Sequence, residues 1–239
     1  MKFETFKKMV SLSREDICRE LFLAHRERIK IKKERVAVGN LVKIFEAALA
    51  ISNRKGFSAM SLRELSTEAG LSMGALYTCF SSKEELLDLL QKLGRTMVMK
   101  VLLSQIDGIA DRREKMKRAI QTHLYLSEVM QPWFYFSYME TKNLKKDEQK
   151  KAIEAELFTE KVFAGIITEG IADGRFRHVD PDMTAAVIKA MLQDWYLKQW
   201  KYGGRRVTVE AYARFLFDVV DSYIVKPLKS KRGTHGRHR

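Results

Sequence analysis

Proline is scarce in this chain, three residues in 239, and Asn-Gly and Asp-Gly turn pairs are few. With Leu, Met, Ala, Glu and Lys abundant, that scarcity argues against an all-β or loop-rich protein and predicts an all-α fold. The two cysteines, Cys18 and Cys79, lie far apart with no CxxC or His-Cys cluster. Neither a disulfide framework nor a zinc site is expected, and no cofactor is expected either. No uninterrupted apolar run approaches the roughly 18 residues that span a bilayer. The first ten residues, MKFETFKKMV, lack the apolar core of a secretory signal, so a cytoplasmic protein is expected. There is no P-loop, GxSxG or HExxH, and the acids fall on helix surfaces as solvated charges. No enzymatic chemistry is expected.

What is present in excess is positive charge, net +14, and it is unevenly placed. Residues 1–35 carry +5 and residues 226–239 carry +6, which leaves only +3 on residues 36–225. The body is near neutral and the two ends are basic, which suits a polyanion such as DNA or serves solubility alone. Within the first end, HRERIKIKKER (25–35) admits three readings: an added helix, an arm tracking phosphates, or a frayed leader. Just before it, Ser13 with Asp16 predicts a helix start, followed by Ile17, Leu21 and Ala24 at helical spacing.

The most informative stretch is SLRELSTEAGLSMGALYTCFSSKEELL, Ser61 to Leu87. Ser61 and Glu64 make a capping box, Leu62, Leu65 and Ala69 an apolar stripe, and Gly70 a left-handed stop. Ser72 opens a second short helix from Met73 to about Thr78. Ser81 and Ser82, each with a Glu three residues on, open a third. Two short helices about a glycine turn make a helix-turn-helix, whose second helix enters the DNA major groove. Gly39-Asn40 predicts a boundary, with a bracing helix from Leu41 to Arg54.

Extended to Phe45, the stretch FEAALAISNRKGFSAMSLRELSTEAGLSMGALYTCFSSKEELL resembles the N-terminal domain of the tetracycline-repressor (TetR) family of transcription regulators. The resemblance runs in register through Ala47-Ala48, Lys55-Gly56-Phe57, S-L-R-E-L, A-G-L-S, G-A-L-Y and S-K-E-E-L. It implies an N-terminal three-helix DNA-binding domain followed by a larger helical ligand-binding and dimerisation domain. The expected division is a basic N-terminal extension (1–38), the helix-turn-helix domain (39–87), an effector-binding and dimerisation domain (88–225) and a basic tail (226–239). Carried over by position, Ser61 and Arg63 reach phosphate and a base edge, and Ser72, Met73, Gly74, Ala75, Tyr77 and Thr78 lie on the recognition helix. Tyr77 would donate to a phosphate, and Lys83 would sit on the DNA backbone. Met73 and Thr78-Cys79 depart from the family's usual polar, aromatic or His residues, leaving the recognition helix poor in donors.

In the second half, helices are expected from about Lys83 to 105–108, over 112–131, over Asp147–Ala172, over Pro181–Lys201 and over Thr208–Val225. WFYFSYME (133–140) is either core or a pocket wall. Read as a wall, it makes His123, Met130, Trp133, Phe134, Tyr135, Tyr138 and Met139 the candidate effector contacts, for a fatty-acyl or aromatic effector. A lone His on a helix, as His123 is, is more often a packed or surface residue than a ligand or base. Ile188, Leu192, Trp195, Phe215 and Val219 are the candidate dimer contacts, on the two apolar helices where the family builds its four-helix dimer bundle. The resulting expectation is a homodimeric repressor that binds a near-palindromic operator and is released by a small hydrophobic effector. The alternative is a DNA-coating or architectural helical dimer without effector.

Overall fold

The computed structural model describes residues 1–24, 26–27, 29–143 and 146–225. Among them lie eleven α-helices, one 3-10 turn at Thr141–Asn143, and no strand beyond a single bridge between Phe176 and Val225. The helices are α1 (Phe3–Ala24), α2 (Glu34–Lys55), α3 (Leu62–Ala69), α4 (Met73–Tyr77), α5 (Lys83–Ile106), α6 (Arg112–Val129), α7 (Gln131–Glu140), α8 (Lys146–Ala172), α9 (Pro181–Leu197), α10 (Gln199–Gly204) and α11 (Val209–Ile224).

The caps of the helix-turn-helix half form as the sequence predicts. The Ser61, Ser72 and Ser82 hydroxyls accept from the backbone N–H groups of Glu64, Ala75 and Glu85, each at 3.2 Å. Glu85 returns to Ser81, accepting from its backbone N–H at 2.7 Å and from its hydroxyl at 2.6 Å. These bonds satisfy orphan amide groups at the helix starts. Gly70 ends α3 at φ 62°, a left-handed conformation that a Cβ would disfavour. Arg54 and Lys55 at the end of α2 pair with Glu64 and Glu68 of α3.

Two expectations at the N-terminus are corrected. The first helix begins at Phe3, not at Ser13, because Phe3, Phe6 and Val10 continue the stripe of Ile17, Leu21 and Phe22. Phe3 and Phe6 meet Tyr125 of α6 edge-on at 5.2 and 5.4 Å, and α1 packs on α2, α5 and α6. The bracing helix begins at Glu34, not Leu41. Gly39-Asn40 does not break it, since burial of Ala37, Val38 and Leu41 on either side outweighs glycine's helix penalty of about 1 kcal/mol. By length and composition α2 would suit a membrane span, mean hydropathy reaching 1.3. Here nine of its residues are buried in the protein core.

The larger half is built on α6, which packs against α5, α8, α9 and α11. Arg113 of α6 holds Asp221 of α11 through two bonds at 2.6 and 2.9 Å. The helix expected over Pro181–Lys201 is interrupted at Lys198, where α9 gives way to α10.

Candidate nucleic-acid interface and adjoining pocket

The exposed face of the helix-turn-helix carries Ser61, Arg63, Ser72, Gly74 and Tyr77, the last 48% exposed. Ala75 is half-buried beside them, and a Cβ on Gly74 would meet only the Ser72 hydroxyl, at 3.9 Å. A flat, open recognition helix with few donors can approach base edges closely and touch a thymine methyl. Three expected contacts sit differently. Met73 packs partly against the core. The Thr78 hydroxyl is spent on the Ala75 carbonyl at 2.5 Å. Lys83 donates to the Ser58 carbonyl at 2.7 Å and lies 5.2 Å over the Phe57 ring. Partial burial lowers its pKa, and both contacts tie it to the turn before α3.

The basic run lies beside this face. His25 and Arg28, like the tail 226–239, fall outside the described residues. Residues 29–33 have no helix: Ile29 is buried, Ile31 packs on the core, and Lys30, Lys32 and Lys33 face outward. The Lys30 backbone N–H donates to the Thr78 carbonyl at the end of the recognition helix, 3.0 Å. This bond places Lys30 at the end of α4, with Lys32 and Lys33 exposed further along the same extended segment.

Behind the helix-turn-helix half stands α7, the aromatic segment. Pro132 at its start accepts from Asn53 Nδ2 of α2 at 2.8 Å, and Glu140 at its end accepts from the Phe57 backbone N–H at 3.1 Å. Phe136 lies between, 5.9 Å from the Phe57 ring. This helix is thus joined at both ends to the segment that precedes α3. Trp133 is buried against α5, its Nε1 donating to the Leu90 carbonyl at 3.1 Å. Gly94 permits this: a Cβ there would fall 1.8 Å from the indole.

Trp133 borders two cavities. One, about 280 Å³ and mostly apolar, lies towards the helix-turn-helix half among Phe45, Leu49, Leu93, Met97 and Met130. The other, about 60 Å³, lies among α5, α6, α7, α8 and α9. Of the expected effector contacts, His123, Trp133, Phe134 and Tyr138 line the smaller cavity, and Met130 with Trp133 lines the larger. Tyr135 and Met139 line neither.

No motif in the sequence marks what lies at the inner side of the smaller cavity. Lys189 of α9 is 6% exposed and donates to Thr159 Oγ1 at 2.9 Å, with His123 Nε2 at 3.2 Å. Burial pulls its pKa down to about 8, with Glu156 and Glu160 pulling the other way. Burial, and then Lys189 itself, hold the His123 imidazole well below its usual range, so at neutral pH its Nε2 accepts from the ammonium. Its Nδ1 has no hydrogen-bond partner. The position of Lys189 was legible only in part: it sits four residues after Ala185 and three before Leu192, on one apolar stripe of α9, and the structure turns that stripe inward.

The expected dimer contacts divide. Ile188, Leu192 and Trp195 are 1, 0 and 4% exposed within the chain itself, so they are core and beyond a partner's reach. Phe215 and Val219 are exposed, and beside them Met183, Val187 and Tyr223 complete an apolar face across α9 and α11.

An exposed helix-turn-helix on a larger helical domain marks the class: a DNA-binding transcription regulator. The chain belongs to the TetR family. Residues 44–90 match the model of bacterial regulatory proteins of the tetR family, and residues 110–220 match that of the tetracyclin repressor-like C-terminal domain. The HTH-type transcriptional repressor KstR2 of Mycobacterium tuberculosis is 25% identical over 201 residues, covering 77% of this chain and 92% of that one. Among solved structures, the TetR-family regulator PfmR of Thermus thermophilus superposes with a TM-score of 0.67 at 26% identity, over 77% of this chain and 99% of that one. AibR, solved with isovaleryl coenzyme A and operator DNA, shares the fold with a TM-score of 0.66 at 19% identity, over 77% and 97%.

Proposed function

We propose that this regulator is a cytoplasmic homodimeric repressor that binds a near-palindromic operator and leaves it when a small effector occupies the cavity beside α7. The observation that carries the reading is the position of α7. One side of it walls a pocket holding a buried cation, and its two ends are bonded to the segment that leads into the helix-turn-helix. A ligand changes DNA affinity only through its preference for one conformation, and α7 touches both sites. The relative named a repressor supports the repressor reading, and the neighbour solved in complex with isovaleryl coenzyme A and operator DNA supports a fold that takes both a small effector and DNA.

Base reading falls to Arg63 and to the close approach of Gly74 and Ala75, with Ser61, Ser72 and Tyr77 on phosphates. Lys30, Lys32 and Lys33 extend the phosphate track past the end of the recognition helix. The exposed face of Met183, Val187, Phe215, Val219 and Tyr223 pairs two copies. A DNA-coating protein without effector has no use for a buried cation in a pocket. Footprinting on DNA selected from genomic fragments tests the reading: protection of one short near-palindrome by a dimer is expected, and broad, sequence-independent protection would replace it with the coating protein.

A further inference from the structure

An ammonium buried to 6% exposure is costly unless an opposite charge compensates it. Among the described residues no carboxylate lies within ion-pair distance of Lys189; its polar partners are a neutral imidazole and a hydroxyl. An ammonium has three N–H groups, and two are placed. His123, whose Nε2 accepts from Lys189, carries its own proton on Nδ1, and that atom has no partner. Two donors of buried side chains are therefore unspent, and both side chains line the same cavity.

We infer that Lys189 and His123, braced by Thr159, form an anion subsite, and that the effector is a small organic carboxylate whose head group docks there.

The inference rests on the effector reading above and sharpens it. A carboxylate brings one charge and two acceptor oxygens, which matches one ammonium proton and one imidazole proton. Arg95 and Glu156 also line the cavity, so Arg95 and Lys189 against Glu156 leave one net positive charge on the lining, which a carboxylate balances and a doubly charged phosphate overshoots. The volume, about 60 Å³, is room for about four waters, suited to a head group with a short chain and not to a nucleotide. Phe134, Tyr138 and Tyr196 supply apolar and aromatic wall for the body of the acid. Tyr138, 48% exposed, stands at the rim and can swing aside as the acid enters.

The test uses matched probes on the full-length protein: hexanoate and phenylacetate, their primary amides, and their coenzyme A thioesters, titrated by tryptophan fluorescence and by thermal shift. At least one acid should bind at least tenfold more tightly than its own amide and more tightly than its thioester. In Lys189→Met the acid-to-amide ratio should fall to near one. The unmodified protein alone decides the first point, should the variant fold poorly. Amides or thioesters that match or exceed the acids, acids that fail to bind, or a ratio that survives in Lys189→Met would each overturn the subsite. Operator release, followed in parallel, separates the two readings. Release by neutral compounds alone keeps the effector switch and removes the anion subsite. Acid-selective binding with no release keeps the subsite and removes the switch.

Discussion

Gly94→Ala should act as a built-in effector. A Cβ at that position of α5 would lie 1.8 Å from Trp133 Cε2 and 2.1 Å from its Nε1. The indole cannot retreat freely, being bonded to the Leu90 carbonyl and set edge-on to Phe134 at 5.2 Å. Alanine gains about 1 kcal/mol over glycine in a helix interior. Against that stand about 1–3 kcal/mol for overpacking and about 1 kcal/mol for a displaced hydrogen bond. The net is a loss of about 1–3 kcal/mol, and for a chain of this size 2 kcal/mol lowers the melting temperature by about 4–8 °C. Gly39→Ala is the control. Its helical site has nothing within 4 Å of the new Cβ, so the propensity gain stands alone and the melting temperature should rise by about 2–4 °C. Calorimetry reads the stability, tryptophan emission the displaced indole, and fluorescence anisotropy the operator affinity, which should fall in Gly94→Ala without any effector. Equal stabilisation by both substitutions, with operator binding intact, would refute the packing of α7 against α5 and the coupling built on it.

Three further outcomes are expected. Phe215→Glu puts a charge on the apolar face of α9 and α11 and should give monomers of 27.8 kDa that no longer bind operator, whereas a monomeric unmodified protein in light scattering would remove the assigned face. Arg63→Ala should cost about 1–3 kcal/mol of discrimination at one base position, while Tyr77→Phe should weaken all sequences alike. Lys30→Ala with Lys32→Ala should make the salt slope of log K shallower by about 0.9 per lost phosphate contact, and deletion of residues 226–239 should leave it unchanged; identical slopes for the lysine variant would return the run to a solubility role.

The helix-turn-helix was legible because its signals are local. Ser61, Ser72, Ser82 and Gly70 each specify a cap within four residues of themselves, and all four form. The start of α1 was hidden because Ser13 and Asp16 imitate a cap, and what keeps the helix continuous is packing against α2, α5 and α6, which lie far off in sequence. On α9 the apolar residues are too many for one face. Periodicity groups Ile188, Leu192 and Trp195 apart from Met183 and Val187, yet it does not say which group turns inward. Lys189 was passed over for a related reason: a lysine is by default a solvated charge, and only its neighbours from α6 and α8 make it a site.

The most direct test of the central claim, that α7 converts pocket occupancy into a change at the DNA-reading helices, is a distance between those helices in the dimer. Both native cysteines are buried, so a spin label at Glu68→Cys, on the exposed side of α3, reports alone. Pulsed electron resonance on the operator complex should give one narrow distance distribution, set by half-sites about one helical turn, roughly 34 Å, apart. Addition of whichever carboxylate binds most tightly should move that distribution by several ångströms as operator is released. An unmoved distribution with the carboxylate demonstrably bound would contradict the account.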